Sequence, residues 1–136
     1  MYSLNEIEEK ILLANELNLS GAALLEDMER AQQVCNGIGA EWMPSWLRWL
    51  IGFLFPTLVL AADIHDIRYH LGGSELDRKN ADDEMLINGI LLARNRYGKF
   101  DPRRYVVVFV MLQFYFKLRD FGSFAWNGRS GDDGAF

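Results

Sequence analysis

The sequence is poor in several features that would assign it quickly to a class of protein. It contains a single cysteine, Cys35, so no disulfide can form within the chain. Small secreted domains usually depend on several disulfides. Since this chain can form none, a hydrophobic core must stabilise its fold. Basic residues are not in excess, because the net charge is −5 at pH 7, which disfavours nucleic acid as a partner.

Targeting and membrane-spanning segments are also lacking. The first ten residues, MYSLNEIEEK, have no basic region followed by an apolar run, and so do not form a secretory signal peptide. The main apolar stretch, residues 46–62, contains Arg48 and Pro56, whereas a transmembrane helix needs roughly 20 apolar residues. We therefore expect no transmembrane helix, and a protein that is cytoplasmic, or carried in a virion, or exported without a signal peptide.

What the sequence does contain is the pattern of a helical domain. Half of its 136 residues are hydrophobic and 24% are charged, a composition typical of one globular domain. Helical spacing of apolar residues, capping boxes and glycine stops predict an all-α fold, with one domain over residues 1–126 and a flexible tail over 127–136. The predicted helices cover about residues 4–17, 21–34, 46–53, 56–71, 75–97 and 102–121.

A glycine pair at positions 72 and 73 predicts a short turn between two antiparallel helices. The midpoint between positions 65 and 82 falls in this turn, so His65 and Asp82 should face each other at the same height, each about 13 Å from it. A carboxylate that holds one imidazole nitrogen and frees the other is typical of an oriented base. A buried structural pair is the alternative. Tyr69 lies one helical turn after His65 and could also reach Asp82.

Asp66 follows His65 directly and points about 100° away from it around the helix. A carboxylate beside a base, near a glycine loop with free carbonyls, indicates an oxygen-ligand site for Ca²⁺. The alternative is a solvated helix charge paired with a lysine or arginine.

These residues resemble the phospholipase A2 family. Residues 65–69 (His-Asp-Ile-Arg-Tyr) and 81–82 (Ala-Asp) are similar to its His-Asp-x-x-Tyr and Ala-Asp-x-x-Phe motifs, and residues 36–39 (Asn-Gly-Ile-Gly) are similar to its calcium loop. The likeness is nearest to small phage and prophage-encoded members and to the parvoviral capsid domain. It covers roughly residues 35–92, within a core motif that we place at 35–97.

The resemblance implies a calcium-dependent hydrolase that cleaves the sn-2 ester of glycerophospholipids while bound peripherally to a phospholipid membrane. His65 would deprotonate the attacking water, Asp82 would hold the other ring nitrogen, and Tyr69 would hydrogen-bond to Asp82. The implied Ca²⁺ ligands are the Asp66 carboxylate and the backbone carbonyls of Gly37 and Gly39, with Glu41 as a third carbonyl.

The chain departs from the family pattern at three positions. Ile38 and Ala62 stand where the family has a disulfide that ties the calcium loop, and Met85 stands for the phenylalanine of the second motif. Two other functions therefore stay open. One is a non-catalytic phage or prophage structural or interaction protein on the same fold. The other is a helical membrane-associated module in which residues 46–62 are the functional part.

Two groups of aromatic residues allow either core packing or contact with lipid headgroups, and we expect packing for most of them. They are Trp42, Trp46, Trp49 and Phe53 in the first group, and Tyr115, Phe116, Phe121, Phe124 and Trp126 in the second.

Overall fold

The computed structural model describes residues 2–34, 58–121 and 126, and all regular secondary structure in these ranges is helical. The all-α prediction is therefore confirmed for the part of the chain that the structure describes. The helices are α1 (Leu4–Glu16), a 3-10 helix (Ala22–Glu26), α2 (Met28–Val34), α3 (Leu58–Leu71), α4 (Glu75–Arg96) and α5 (Pro102–Phe121).

The predicted helix starts at Ser3 and Ser74 are both capping boxes. The Ser74 hydroxyl accepts a hydrogen bond from the Asp77 backbone amide, and the Asp77 carboxylate accepts one from the Ser74 amide. Gly72 has a φ of 74°, the left-handed conformation that glycine adopts at low cost after a helix. Together these residues join α3 to α4 through a three-residue turn, as the sequence predicts.

One helix prediction is wrong in detail. The segment 21–34, predicted as one helix, is a 3-10 helix followed by α2, with Asp27 between them at φ −80° and ψ 78°. The Asp27 Oδ1 atom accepts a hydrogen bond from the Arg30 amide at 3.2 Å. An aspartate side chain that binds the first free amides of a helix favours a new helix start over continuation of the old helix.

Helix α4 packs against both α3 and α5 and is the centre of the fold. The chain before α3 is held to α4 by Asn88, whose buried side chain bonds to both the amide and the carbonyl of Ser20 at 3.0 and 2.9 Å. The core is closed by apolar side chains from all five α-helices, among them Ile7, Ala31, Ile64, Ile67, Leu92, Val107 and Met111.

Several sequence predictions concern residues outside the described ranges. They are the Asn36–Gly39 loop, the helix over 46–53, the aromatic residues between 42 and 53, Phe124, and the tail at 127–136. Among the helices that are described, none is both long enough and apolar enough to cross a bilayer.

Close packing of α4 on α5 gives a first prediction, at Gly89. A Cβ atom at Gly89 would lie 2.6 Å from Cε and 2.8 Å from Cγ of Met111, so Met111 would have to move. We expect Gly89→Ala to lower the free energy of unfolding by about 1 kcal/mol, because overpacking outweighs the gain in helix propensity. Urea denaturation measures the change.

Gly98 supplies the control, since none of the described residues lies within 4 Å of a Cβ atom added there. Gly98→Ala should leave stability nearly unchanged. If both variants behave alike, the close approach of α4 and α5 at Gly89 is not present in solution.

Candidate active site

His65 and Asp82 meet between α3 and α4, at the height that the turn predicts. The Nε2 atom of His65 lies 2.8 Å from Oδ1 of Asp82, and both side chains are buried. Because an imidazole presents one nitrogen to the carboxylate, its Nδ1 atom faces elsewhere, and it makes no hydrogen bond to the residues that the structure describes. The pair thus has the arrangement of a base oriented by a carboxylate.

Tyr69 completes this side of the carboxylate, also as predicted. Its hydroxyl donates a hydrogen bond of 2.7 Å to the same Asp82 oxygen that faces His65. The rings of His65 and Tyr69 lie 4.2 Å apart between centroids. Burial raises the pKa of Tyr69, and the neighbouring Asp82 charge raises it further, so the hydroxyl remains a donor at any ordinary pH.

Trp126 covers Tyr69 from the other end of the chain. Its indole packs edge-on against the Tyr69 ring at 5.0 Å between centroids, and its Nε1 atom donates to the Gly73 carbonyl at 3.2 Å. The side chain is fully buried. The expectation that Trp126 packs in the protein is confirmed. Its place against Tyr69, however, has no signal in the local sequence.

Two arginines hold the second Asp82 oxygen, and the sequence interpretation gives neither a role. Arg119 on α5 donates to Oδ2 at 2.7 Å, and Arg78, one turn before Asp82 on α4, lies 3.9 Å from it. Arg78 is itself buried, and also binds Glu75 and the Leu118 carbonyl.

Both arginines do have a signal in the sequence. Arg78 and Asp82 are four residues apart, a spacing that makes helix side chains neighbours. The turn after α4 is centred near residue 99, so matched heights on α4 and α5 place Arg119 within about one turn of Asp82. The rule that pairs His65 with Asp82 gives position 116 opposite Asp82 in the second hairpin, and Arg119 lies about one turn beyond that position.

The surroundings of Asp82 keep it ionised. Burial raises the pKa of the carboxyl group, but the hydrogen bonds from His65, Tyr69 and Arg119 together outweigh burial, and the pKa lies below its usual value. A buried carboxylate that remains charged can hold the imidazole in one orientation and stabilise the imidazolium that forms when Nδ1 takes a proton.

The lowered pKa of Asp82 predicts a loss of stability in acid. Since the folded-state pKa lies below that of the unfolded chain, the stabilisation is complete above the unfolded value and is lost as the pH falls below about 4. Thermal unfolding across this range should show a steeper acid loss for the native chain than for Asp82→Asn. Glu9→Gln, which removes an exposed carboxylate on α1, should keep the native slope. Equal slopes for the native chain and Asp82→Asn would contradict the assignment.

The calcium ligands that the resemblance implies are divided between described and undescribed residues. Asp66 is half-buried on α3 next to His65, while Gly37, Gly39 and Glu41 lie outside the described ranges. Within those ranges, no three histidine, cysteine, aspartate or glutamate side chains form a group that could hold a metal ion. Because Ca²⁺ takes six to eight oxygen ligands, a site at Asp66 would need further oxygen atoms, which the resemblance to phospholipase A2 places in the 36–41 segment.

A hydrogen-bonded ion pair and a surface cavity lie near this site, and neither includes His65 or Asp82. Arg68 binds Glu84 through two hydrogen bonds of 3.0 Å, and Glu84 also accepts a 2.6 Å hydrogen bond from the Ser20 hydroxyl. These bonds tie α3 to α4. A shallow cavity of about 440 Å³ beside Arg68 and Trp126 is not lined by His65 or Asp82, and we assign it no part in catalysis.

The second aromatic group divides between packing and exposure. Tyr115 is half-buried and donates a 2.7 Å hydrogen bond to Asp83, while Phe116 is exposed, contrary to the packing expected for it. The exposure follows from helix geometry, because Phe116 lies on the side of α5 that faces away from α4.

Comparison with known proteins adds no relative. No protein-family model, curated protein or solved structure matches the chain. Its likeness to phospholipase A2 therefore rests on the sequence motifs at residues 36–39, 65–69 and 81–82.

Proposed function

We propose that the chain is a calcium-dependent, phospholipase A2-like hydrolase that cleaves the sn-2 ester of glycerophospholipids at a membrane surface. One observation carries the proposal, the 2.8 Å contact between His65 Nε2 and the buried, ionised Asp82. That contact orients the imidazole and leaves Nδ1 as the atom that can take a proton from water.

The proposed reaction uses this contact as follows. His65 Nδ1 takes a proton from a water molecule as the water oxygen forms a bond to the ester carbonyl carbon. The resulting imidazolium is stabilised by Asp82. It then returns the proton to the glycerol oxygen as the carbon–oxygen bond of the ester breaks. The products are a free fatty acid and a lysophospholipid, and the histidine regains its starting state without a covalent enzyme intermediate.

The proposed reaction also uses a bound calcium ion. Asp66 would hold the ion together with the carbonyls of Gly37, Gly39 and Glu41. A bound Ca²⁺ would supply positive charge to stabilise the negative charge that develops on the ester oxygen. Asp66 directly follows the base, His65, on α3. The hydrogen bonds between Arg68 and Glu84 hold this helix against α4 and so fix the position of both side chains.

A second candidate is a non-catalytic structural or interaction protein on the same fold, such as a phage or prophage protein. The observation that favours it is the pair of arginines at Asp82. They make the carboxylate the centre of an ion-pair network that joins α4 to α5, and such a network can stabilise a core with no reaction to perform.

Fatty-acid release separates the two candidates. Vesicles that carry a labelled fatty acid at the sn-2 position are incubated with the protein in Ca²⁺ and, separately, in EDTA. We expect release of labelled fatty acid in Ca²⁺ only, with lysophospholipid as the second product. Substrate labelled at the sn-1 position controls for the position of cleavage. Folded protein that releases nothing in either buffer would favour the non-catalytic candidate.

A further inference from the structure

The turn between α4 and α5 concentrates positive charge in an acidic protein. Residues 94–104, here called the basic turn, contain five of the chain's 14 basic residues and one of its 19 acidic residues. The rest of the chain is therefore strongly negative. A segregated charge of this kind marks the surface that an anionic partner meets first.

Most of the positive charge in the basic turn is not neutralised by the protein. Arg94, Arg96 and Lys99 are exposed and form no ion pair with the residues that the structure describes. Arg103 is the exception, because it binds Asp101 at 2.7 Å and stacks over Tyr97 at 4.9 Å. The basic turn therefore presents three positive side chains that no described residue pairs, next to Arg103, which Asp101 and Tyr97 hold in place.

Exposed aromatic residues continue from the basic turn along α5. Phe100, in the turn itself, is 92% exposed. On α5 we call three further residues the aromatic stripe: Tyr105, Phe109 and Phe116, which are 55%, 61% and 56% exposed. Their spacing of four and seven residues places them on one side of α5. Large apolar side chains grouped on one helix face in water usually mark a contact surface.

The aromatic stripe runs from the basic turn towards the end of α5 where Arg119 binds Asp82. Helix α5 is about 30 Å long. Near its far end Tyr115 and Arg119 bind Asp83 and Asp82, at the level of Phe116. A flat partner that lies along the stripe would therefore contact the basic turn and most of the length of α5.

We propose that the basic turn and the aromatic stripe form a surface that binds anionic phospholipid membranes. Lipid phosphates match the free arginine and lysine side chains, and aromatic rings are favoured at the depth of the headgroups. A nucleic acid would use the cations but leave the stripe along α5 in water. The inference extends the proposed function, since the choice of a phospholipid partner rests on it.

Vesicle sedimentation tests the surface without any need for hydrolysis. His65→Gln protein in EDTA is mixed with vesicles of phosphatidylcholine alone or with added phosphatidylglycerol. We expect tight binding to the anionic vesicles, weak binding to the neutral ones, and loss of binding in high salt. Each basic residue near an anionic surface contributes about fivefold, so reversing Arg94, Arg96 and Lys99 to glutamate should weaken binding by more than about 100-fold.

Matched variants separate this surface from a general effect. Lys99→Glu should weaken binding at least about fivefold, and Arg30→Glu on α2 should leave it unchanged. Phe109→Ser should weaken binding about tenfold, whereas Leu12→Ser, which removes an exposed side chain from α1, should have no effect. Circular dichroism checks that each variant is folded.

Four results would overturn the proposal: full binding by the triple variant, equal binding to neutral vesicles, binding to an oligonucleotide in place of vesicles, or a dimer that buries the stripe and ignores lipid. Binding by wild-type protein that releases no fatty acid would uphold this surface and contradict the hydrolase. Release that is unaffected by the triple variant would uphold the hydrolase and contradict this surface.

Discussion

Replacing His65 by glutamine should reduce fatty-acid release from vesicles by about 100- to 10,000-fold, the range that a general base contributes. Glutamine can still donate a hydrogen bond to Asp82, so the buried carboxylate keeps a partner and the helices stay packed. It cannot take a proton from water at neutral pH. The loss should therefore appear in the rate of hydrolysis, with little change in thermal stability or vesicle binding.

His70 offers a control on the same helix. It is exposed, five residues after His65, and these two are the only histidines in the chain. His70→Gln should hydrolyse lipid at the native rate. An equal loss in both variants would indicate a general effect on α3, and full activity of His65→Gln would exclude His65 as the base.

Asp82→Ala should lower the free energy of unfolding by about 3 to 5 kcal/mol, the cost of removing one partner from a buried ion pair. The substitution leaves Arg78 and Arg119 facing each other without the carboxylate and removes the acceptor of the Tyr69 hydroxyl. Glu75 binds both arginines and offsets part of the cost. Urea denaturation with a native-like m-value measures the change.

The neighbouring Asp83 provides the matched control. It lies on the same helix and binds Lys79 and Tyr115 through hydrogen bonds of 2.7 Å, but it is only half-buried. Asp83→Ala should therefore cost much less than Asp82→Ala. If the two variants lose the same stability, the arginines do not depend on Asp82.

The structure also changes the expectation for Asp82→Asn. From the His65–Asp82 pair alone, this variant should fold normally and lose only activity. With Arg119 at 2.7 Å from the carboxylate, the neutral amide removes a charge from a buried ion pair. Reduced stability is therefore expected together with reduced hydrolysis.

Much of the helical framework around the site follows from short-range chemistry. Ser74 and Asp77 set the start of α4 and Gly72 the end of α3, so the height of His65 against Asp82 follows from counting residues. The break at Asp27 was not predicted, because an aspartate can either cap a new helix or lie within a continuous one. Tertiary packing decides which of the two forms.

The rest of the site depends on contacts between distant segments. Trp126 reaches Tyr69 across 57 positions of sequence, and no periodicity records that contact. Phe116 belongs to an apolar run whose composition is typical of a core, yet it is exposed, because the described helices cover α5 on one side only. Local pattern thus predicts which side chains lie on one helix face, while the arrangement of neighbouring helices decides which face is buried.

The Asp82 network has a consequence for the order in which the molecule is made. His65, Tyr69 and Asp82 leave the ribosome well before Arg119 and Trp126, which complete their surroundings. Until those residues emerge, Asp82 lacks its ion-pair partner Arg119, and Tyr69 lacks its contact with Trp126. The contact between His65 and Asp82 is then less stable. The surroundings of Asp82 are therefore completed only after α5 and Trp126 have been made, although the whole His-Asp motif is made earlier.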